Sequence, residues 1–443
     1  MALDWRVLVV GLGTIVVPLD ASVNVAFPAI VGAFGLKLTD IQWVVIVYML
    51  AQTSLMLVFG RLGDMVGYRR VFLAGSAVSG AGLLACATAP TYTMLLAGRT
   101  AQGVGAGLVL SCGPALATSL QPEAMRARVL GLYTMLYSAG FALGPAIAGV
   151  LVGWFGWPSV FWFRVPIAVA AFAGTLALPT SPRRDGPQRF DSPGAALLIL
   201  GMAAAVLAID RLQHLDAGTL WPAGTAVLAM LLLIGFARQE ARTPQPILDL
   251  RLFRLPGFAR LTLAAALVNL ACFAVLLLLP FHLAASVGLG PRMIGVVLAS
   301  TAVGMVTASP VAGAIAGRIA PRALMRAGAA AVAAGLAGVA LAPPIGLMLV
   351  ALLVQGFGQG LFMVAFLDVV TVTLPAASRG VAGSLGMLSR TLGVVLGASL
   401  LTLAFRSLSG LGFLAAFRGS FAAAAAVAAV AIVLIGIRRP RPR

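Results

Sequence analysis

Five charged side chains fall inside long apolar runs of the chain: Asp20, Arg99, Arg164, Asp368 and Arg390. A charge surrounded by hydrocarbon is costly unless it faces a wet cavity, finds a partner or, for an acid, takes up a proton. Asp20 is the most informative of the five. It follows Arg6 by 14 residues, about 21 Å along a continuous helix at about 1.5 Å per residue. Asn24 lies one turn further on the same face. A carboxylate that gains and loses a proton at that depth can couple movement of a solute to a proton gradient. Bonded to Asn24 alone, it would only hold helices together.

Arg99 precedes Gln102 and the series Gly103, Gly105 and Gly107. A fixed cation there either balances a neighbouring carboxylate, binds an anionic group or serves as a structural hub for several carbonyls. The glycine series imitates a dinucleotide-binding fingerprint, but no strand precedes it and an apolar run contains it. Asp368 and Arg390 either line a cavity or pair structurally, while Arg164, near the end of its run, reads as an interface residue. With Asn24 and Gln102, these two charges and Tyr48, Gln52, Gln355 and Gln359 make up the candidate lining of a substrate cavity.

Two further segments read as moving parts. Residues 60–70 (GRLGDMVGYRR) join Gly60, Asp64 and Gly67 to Arg69 and Arg70 in one short turn. Small residues permit the turn, and Asp64 can cap a helix or pair with an arginine in one conformation and release it in another. Residues 140–149 (GFALGPAIAG) place Gly140, Gly144 and Gly149 on a small-residue stripe with Pro145 inside it. Close packing and a bend follow, and ordinary helix packing alone would account for both.

The surrounding composition settles the medium. Of 443 residues, 61% are apolar and 9% charged, against about a half and about a quarter in soluble domains. That excludes an ordinary cytosolic enzyme, a disordered chain and a secreted disulfide scaffold. The net charge of +18 sits between apolar runs, so it orients the chain in a bilayer rather than binding nucleic acid. Cys86, Cys112 and Cys272 lie inside apolar runs, and neither they nor His214 and His282 have metal-ligand spacing.

Fourteen runs are long enough to cross, near 7–31, 41–60, 71–89, 93–118, 129–152, 160–179, 193–209, 220–237, 261–281, 293–317, 327–343, 345–372, 380–405 and 419–437. With both termini inside, 22 basic residues fall in inner segments and five in outer ones, as the positive-inside rule requires. Trp154, Trp157 and Trp162 gather at one outer hairpin like an interfacial belt. The first run continues past Asp20 without a strongly basic lead, so it reads as an uncleaved span.

A constant shift of 253 residues superposes Gly60 on Gly313, Arg69 on Arg322, Arg126 on Arg379, residues 102–108 on 355–361, and Gly140 and Gly144 on Gly393 and Gly397. Eight crossings separate the copies, so they run the same way through the membrane, as in one class of secondary transporter. Asp20, Asp64, Arg99 and Pro145 fall on Phe273, Gly317, Leu352 and Ala398. Glycines common to both copies serve the architecture; polar residues found in one copy are the candidates for chemistry. The expected fold is therefore all-α and polytopic: a six-helix bundle over 1–180, a two-helix insert with its loops over 181–260, and a second six-helix bundle over 261–443.

These residues resemble the major facilitator superfamily, specifically its fourteen-span drug:proton antiporter branch. Residues 19–28 (LDASVNVAFP) resemble that branch's first-helix motif, with Ala21 where Thr is usual, and residues 60–70 the superfamily's inner-loop signature. Arg99, Gln102 and Gly103 match the fourth-helix motif. Residues 140–149 are similar to the antiporter motif, with Ala148 replacing one glycine of a pair. Gln42, Trp43, Val44 and Tyr48, the stretch 248–253 (LDLRLF) and the stretch 389–393 (SRTLG) add further matches. Arg164 departs from the branch, which usually has Asn there. The resemblance implies a two-bundle fold, proton-driven export from the cell membrane and a polyspecific apolar cavity. It implies proton coupling by Asp20 and Arg99, gating around Asp64, and sealing by Pro145 and its glycines. A monomer exchanging small molecules for protons, in lipid and without cofactor or nucleic acid, is the expectation. A dedicated exporter of a metabolite, lipid or peptide is the alternative, and a lipid enzyme or passive receptor fits the scattered loop charges poorly.

Overall fold

Prolines interrupt the first apolar run, which the sequence predicts as one helix. In the computed structural model it forms α1 (Trp5–Ile15), a 3-10 turn (Pro18–Ala21), α2 (Ser22–Val25) and α3 (Phe27–Phe34). Pro18 and Pro28 sit in the first turns of their pieces, where a missing N–H costs nothing. The straight-helix estimate of Asp20's depth therefore does not apply. The same interruption recurs in two other runs. Pro166 follows the link between α8 (Ser159–Trp162) and α9 (Val165–Leu176), and Pro280 opens α13 (Leu279–Ala285) after α12 (Phe258–Leu277).

The remaining helices are α4 (Gln42–Val66), α5 (Tyr68–Ala87), α6 (Tyr92–Ser119), α7 (Arg126–Phe155), α10 (Ser192–Leu212), α11 (Trp221–Arg242), α14 (Pro291–Ile315), α15 (Pro321–Ala340), α16 (Ile345–Thr373), α17 (Val381–Leu408) and α18 (Phe413–Gly436). The structure describes residues 5–37, 40–122, 125–179, 191–212, 221–243, 255, 257–315, 318–341, 344–373 and 381–436. The stretch 248–253, the first expected border of the insert at 180/181 and the C-terminal arginines lie outside that set. Among the described residues there is no strand element. Helix occupies each of the fourteen predicted runs, and among the described residues eleven segments are long and apolar enough to cross a bilayer. Helix α6 falls short because Arg99, Gln102 and its glycines dilute its hydropathy.

Two compact units result, 1–249 with 290–295, and 250–289 with 296–443. Within the first, α5 packs on α6 and α9, and α1 on α7 and α9; within the second, α15 packs on α16 and α18, and α12 on α17 and α18. Glycines at the 253-residue shift make matching contacts. A Cβ on Gly103 would meet the Tyr48 carbonyl oxygen, and one on Gly356 the Thr301 carbonyl oxygen. Gly105 approaches Ser79, as Gly358 approaches Val332; Gly82 approaches Gln102, as Gly335 approaches Gln355. Since 48 and 301, 79 and 332, and 102 and 355 are themselves 253 apart, the repeat is a repeat of packing as well as of sequence. Small residues here let backbones meet where lipid supplies no hydrophobic drive.

Helices α10 and α11 form a hairpin against α4 in the first unit. Its clasp is Asp191, which is buried. Asp191 Oδ1 accepts from the Gly194 N–H at 3.0 Å, capping α10, and from Gln239 Nε2 at 3.0 Å; Oδ2 accepts from Thr243 Oγ1 at 3.1 Å. Asp191→Ala removes the cap and frees Gln239 on α11 and Thr243 just beyond it. We expect a loss of about 1–2 kcal/mol, read as a lower Tm of the purified protein, with α10 and α11 losing amide-exchange protection first.

Candidate functional site

The turn at Pro18–Ala21 turns Asp20 toward α6 and the α8–α9 link. Arg99 grips it with both ends of its fork, Nη1 to Oδ1 at 2.5 Å and Nη2 to Oδ2 at 2.8 Å. Arg164 adds Nη1 to Oδ1 at 2.8 Å, and Gln102 donates Nε2 to the same oxygen at 3.1 Å. Both guanidiniums are fully buried, and the Asp20 side chain is 12% exposed. Two-point arginine–carboxylate contacts are the strong class of charge-assisted hydrogen bond.

Second contacts hold the partners in place. Arg99 Nε donates to the Val44 carbonyl at 2.9 Å and Nη1 to Gln102 Oε1 at 2.7 Å. Its guanidinium lies 4.1 Å from the centre of the Tyr48 ring, a cation–π contact strengthened by burial. Arg164 Nε donates to the Val160 carbonyl at 2.9 Å, one turn back, while its Nη2 is buried without a hydrogen-bond partner. The Tyr48 hydroxyl is likewise buried without one. Two cations against one anion leave the cluster with a single excess positive charge.

Arg164 corrects the sequence reading, which placed it at an interface. The sequence signal for it was weak, since Arg164 stands four residues from the outer end of its predicted run, where an arginine ordinarily meets the interface. Asn24 Nδ2 donates to the Ala21 carbonyl at 3.1 Å, which tightens the turn behind Asp20. Gln52 is buried on α4, beside Tyr48 in the sequence spacing of one turn.

The second unit has no charge at the equivalent place. Phe273 and Leu352 replace Asp20 and Arg99, and Gln355 keeps the position of Gln102. Gln355 Nε2 donates to Cys272 Sγ at 3.1 Å and to Gln359 Oε1 at 3.4 Å. A neutral polar patch results. In this unit Asp368 is exposed and Arg390 half-buried.

Of the two segments read as moving parts, the stripe on α7 touches the turn that bears Asp20 and the other reaches the end of α9. Gly67 joins α4 to α5 at φ +99°, where a side chain would strain the backbone. Arg69 caps α9, Nε donating to the Thr175 carbonyl at 3.0 Å and Nη2 to that of Leu176 at 2.5 Å. Arg70 is exposed, and the side chains at Gly60 and Asp64 lie outside the described set. On α7, Cβ atoms at Gly140 and Gly144 would stand 2.9 Å from the Ile15 carbonyl oxygen and 3.2 Å from that of Leu19. The stripe therefore admits the very turn that bears Asp20. Gly149 meets residues 291–295 backbone to backbone within the same unit. Among the described residues no group of His, Cys, Asp and Glu could hold a metal ion.

Comparison with known proteins gives concordant findings. The family described as Major Facilitator Superfamily matches residues 10–259 and 261–443. The riboflavin transporter RibZ of Clostridioides difficile is 30% identical over 407 residues, covering 90% of this chain and 87% of the relative. The multidrug resistance protein Stp of Mycobacterium tuberculosis is 30% identical over 398 residues, covering 88% and 74%. A bacterial homolog of the human lysosomal transporter Spinster, solved in an inward-facing and unoccupied conformation, shares the fold with a TM-score of 0.71 at 16% identity, covering 98% and 96%.

Proposed function

The chain belongs to the Major Facilitator Superfamily, and from that membership we propose that it is a proton-driven exporter of amphipathic or lipophilic small molecules. As a multi-pass helical protein of the cell membrane, with relatives that include multidrug and antibiotic resistance proteins, it would act as a fourteen-span antiporter with both termini inside. In this reading two six-helix bundles, 1–180 and 261–443, flank the two-helix insert 181–260, and the protein works as a monomer by alternating access. The observation that carries the proposal is a single buried carboxylate held by arginines in one copy of the repeat. A proton entering down about 100 mV releases about 2.3 kcal/mol, enough to raise a solute ratio to tens. Asp20 carries the proton, Arg99 and Gln102 hold the empty carboxylate, and Gly67, Pro145 and their neighbours let the gates bend. Neutral polar side chains, Gln52, Gln355 and Gln359 among them, offer contacts that tolerate varied cargo.

A second reading, a carrier dedicated to one metabolite, is favoured by the riboflavin transporter among relatives of equal identity. Proteoliposomes with an imposed pH difference test both. We expect a lipophilic dye such as rhodamine 6G to move against its gradient, with proton flow the opposite way; movement of riboflavin alone would favour the second reading. Solute movement with no proton movement would end the proton-driven proposal.

A further inference from the structure

Arg164 does more than neutralise charge, because one arginine already satisfies one carboxylate. Asp20 receives four donors: Arg99 Nη1, Arg164 Nη1 and Gln102 Nε2 on Oδ1, and Arg99 Nη2 on Oδ2. A carboxylate oxygen offers about two lone-pair sites, so Oδ1 is fully taken in this conformation and a proton arriving at Oδ2 meets two guanidiniums. The two arginines hold the carboxylate differently. Arg99 uses a two-point fork and is itself fixed to Val44, Gln102 and the Tyr48 ring. Arg164 uses one point, leaves its Nη2 without an acceptor, and stands on the two-residue link between α8 and α9. Its contact is the one a small displacement of that link breaks first.

We propose that Arg164 is a positioning residue that keeps Asp20 closed to protons until the α8–α9 link and the turn at Pro18–Ala21 part. Proton loading is thereby tied to a movement of the protein rather than to the pH on either side alone. The inference rests on the reading of Asp20 as proton carrier. The other titratable or charged groups around the cluster are Tyr48 on α4, Cys86 on α5, Arg99 on α6 and Tyr137 on α7. Of the two cations only Arg164 stands on an interrupted segment, so it alone can withdraw without bending a long helix.

The test is proton leak in proteoliposomes without solute, alongside solute-driven proton flux. Removing a charge-assisted hydrogen bond from a closed carboxylate raises its open population by about tenfold or more. We therefore expect Arg164→Asn to leak protons about tenfold faster than wild type, with Arg164→Lys staying near wild type. The leak should vanish in the double variant Asp20→Asn/Arg164→Asn, a dependence that mere loosening of the fold would not produce. Should Arg164→Asn fail to reconstitute, Arg164→Gln carries the same expectation. No leak from a folded variant, or a leak that persists in the double variant, would overturn the inference. Unaltered proton-coupled transport by Asp20→Asn alone would instead overturn the reading beneath it.

Discussion

Asp20→Asn should bring the solute ratio sustained by a proton gradient from tens down to about one, because no proton then enters with each cycle. Solute–solute exchange, which needs no net proton movement, separates loss of coupling from loss of the carrier: it should continue in the variant. The substitution also leaves two buried guanidiniums without their anion, and breaking a buried pair in this way costs about 3–5 kcal/mol. The purified variant should accordingly melt earlier than wild type. Part of that loss should return in Asp20→Asn/Arg164→Asn, where one orphaned cation is gone. Exchange and melting measured together distinguish a decoupled carrier from a collapsed one. A variant that still concentrates its solute would remove Asp20 from the proposed cycle.

The second large effect concerns packing. Gly103→Val and Gly356→Val force a side chain into the Tyr48 and Thr301 carbonyls, respectively, where neither backbone can step aside without shifting a helix. Overpacking typically costs about 1–3 kcal/mol, and a backbone obstacle puts these sites at or beyond the upper end. Both variants should reach the membrane at a small fraction of the wild-type level, measured by fluorescence-detected size exclusion. Gly153, with nothing within 4 Å of its notional Cβ, is the control, and Gly153→Val should accumulate normally. Equal yields from all three would show that the matched glycine contacts do not support the fold.

Much of this arrangement was legible in the residues. The 253-residue shift singled out Gly103 and Gly356 as architectural, and their contacts with Tyr48 and Thr301 are the close approaches such glycines serve. Asp20 and Arg99 stood out because hydrocarbon penalises unmatched charge. What stayed hidden depended on where the chain bends. Treating residues 7–31 as one straight helix put Asn24 behind Asp20, whereas the break at Pro18 sends the carboxylate toward Arg99 and leaves Asn24 bonded to Ala21. Arg164 was misplaced for the same reason: the gap between α8 and α9 turns an apparent end-of-span residue inward. Glycine and polar side chains, which the cluster requires, lower the hydropathy of α6, so it is not among the eleven described spans. The Asp191 clasp joins residues about 50 apart through side-chain acceptors, a relation that periodicity does not encode.

Cys86, Cys112 and Cys272 are all buried, and none of the three forms a disulfide. Water-borne maleimides attack thiolates that they can reach, so the native sulfurs should stay silent towards them. A single cysteine engineered at an aqueous position would then report its own accessibility without the native three being removed, and the two faces of the membrane could be mapped by reagent sidedness in an otherwise unaltered carrier.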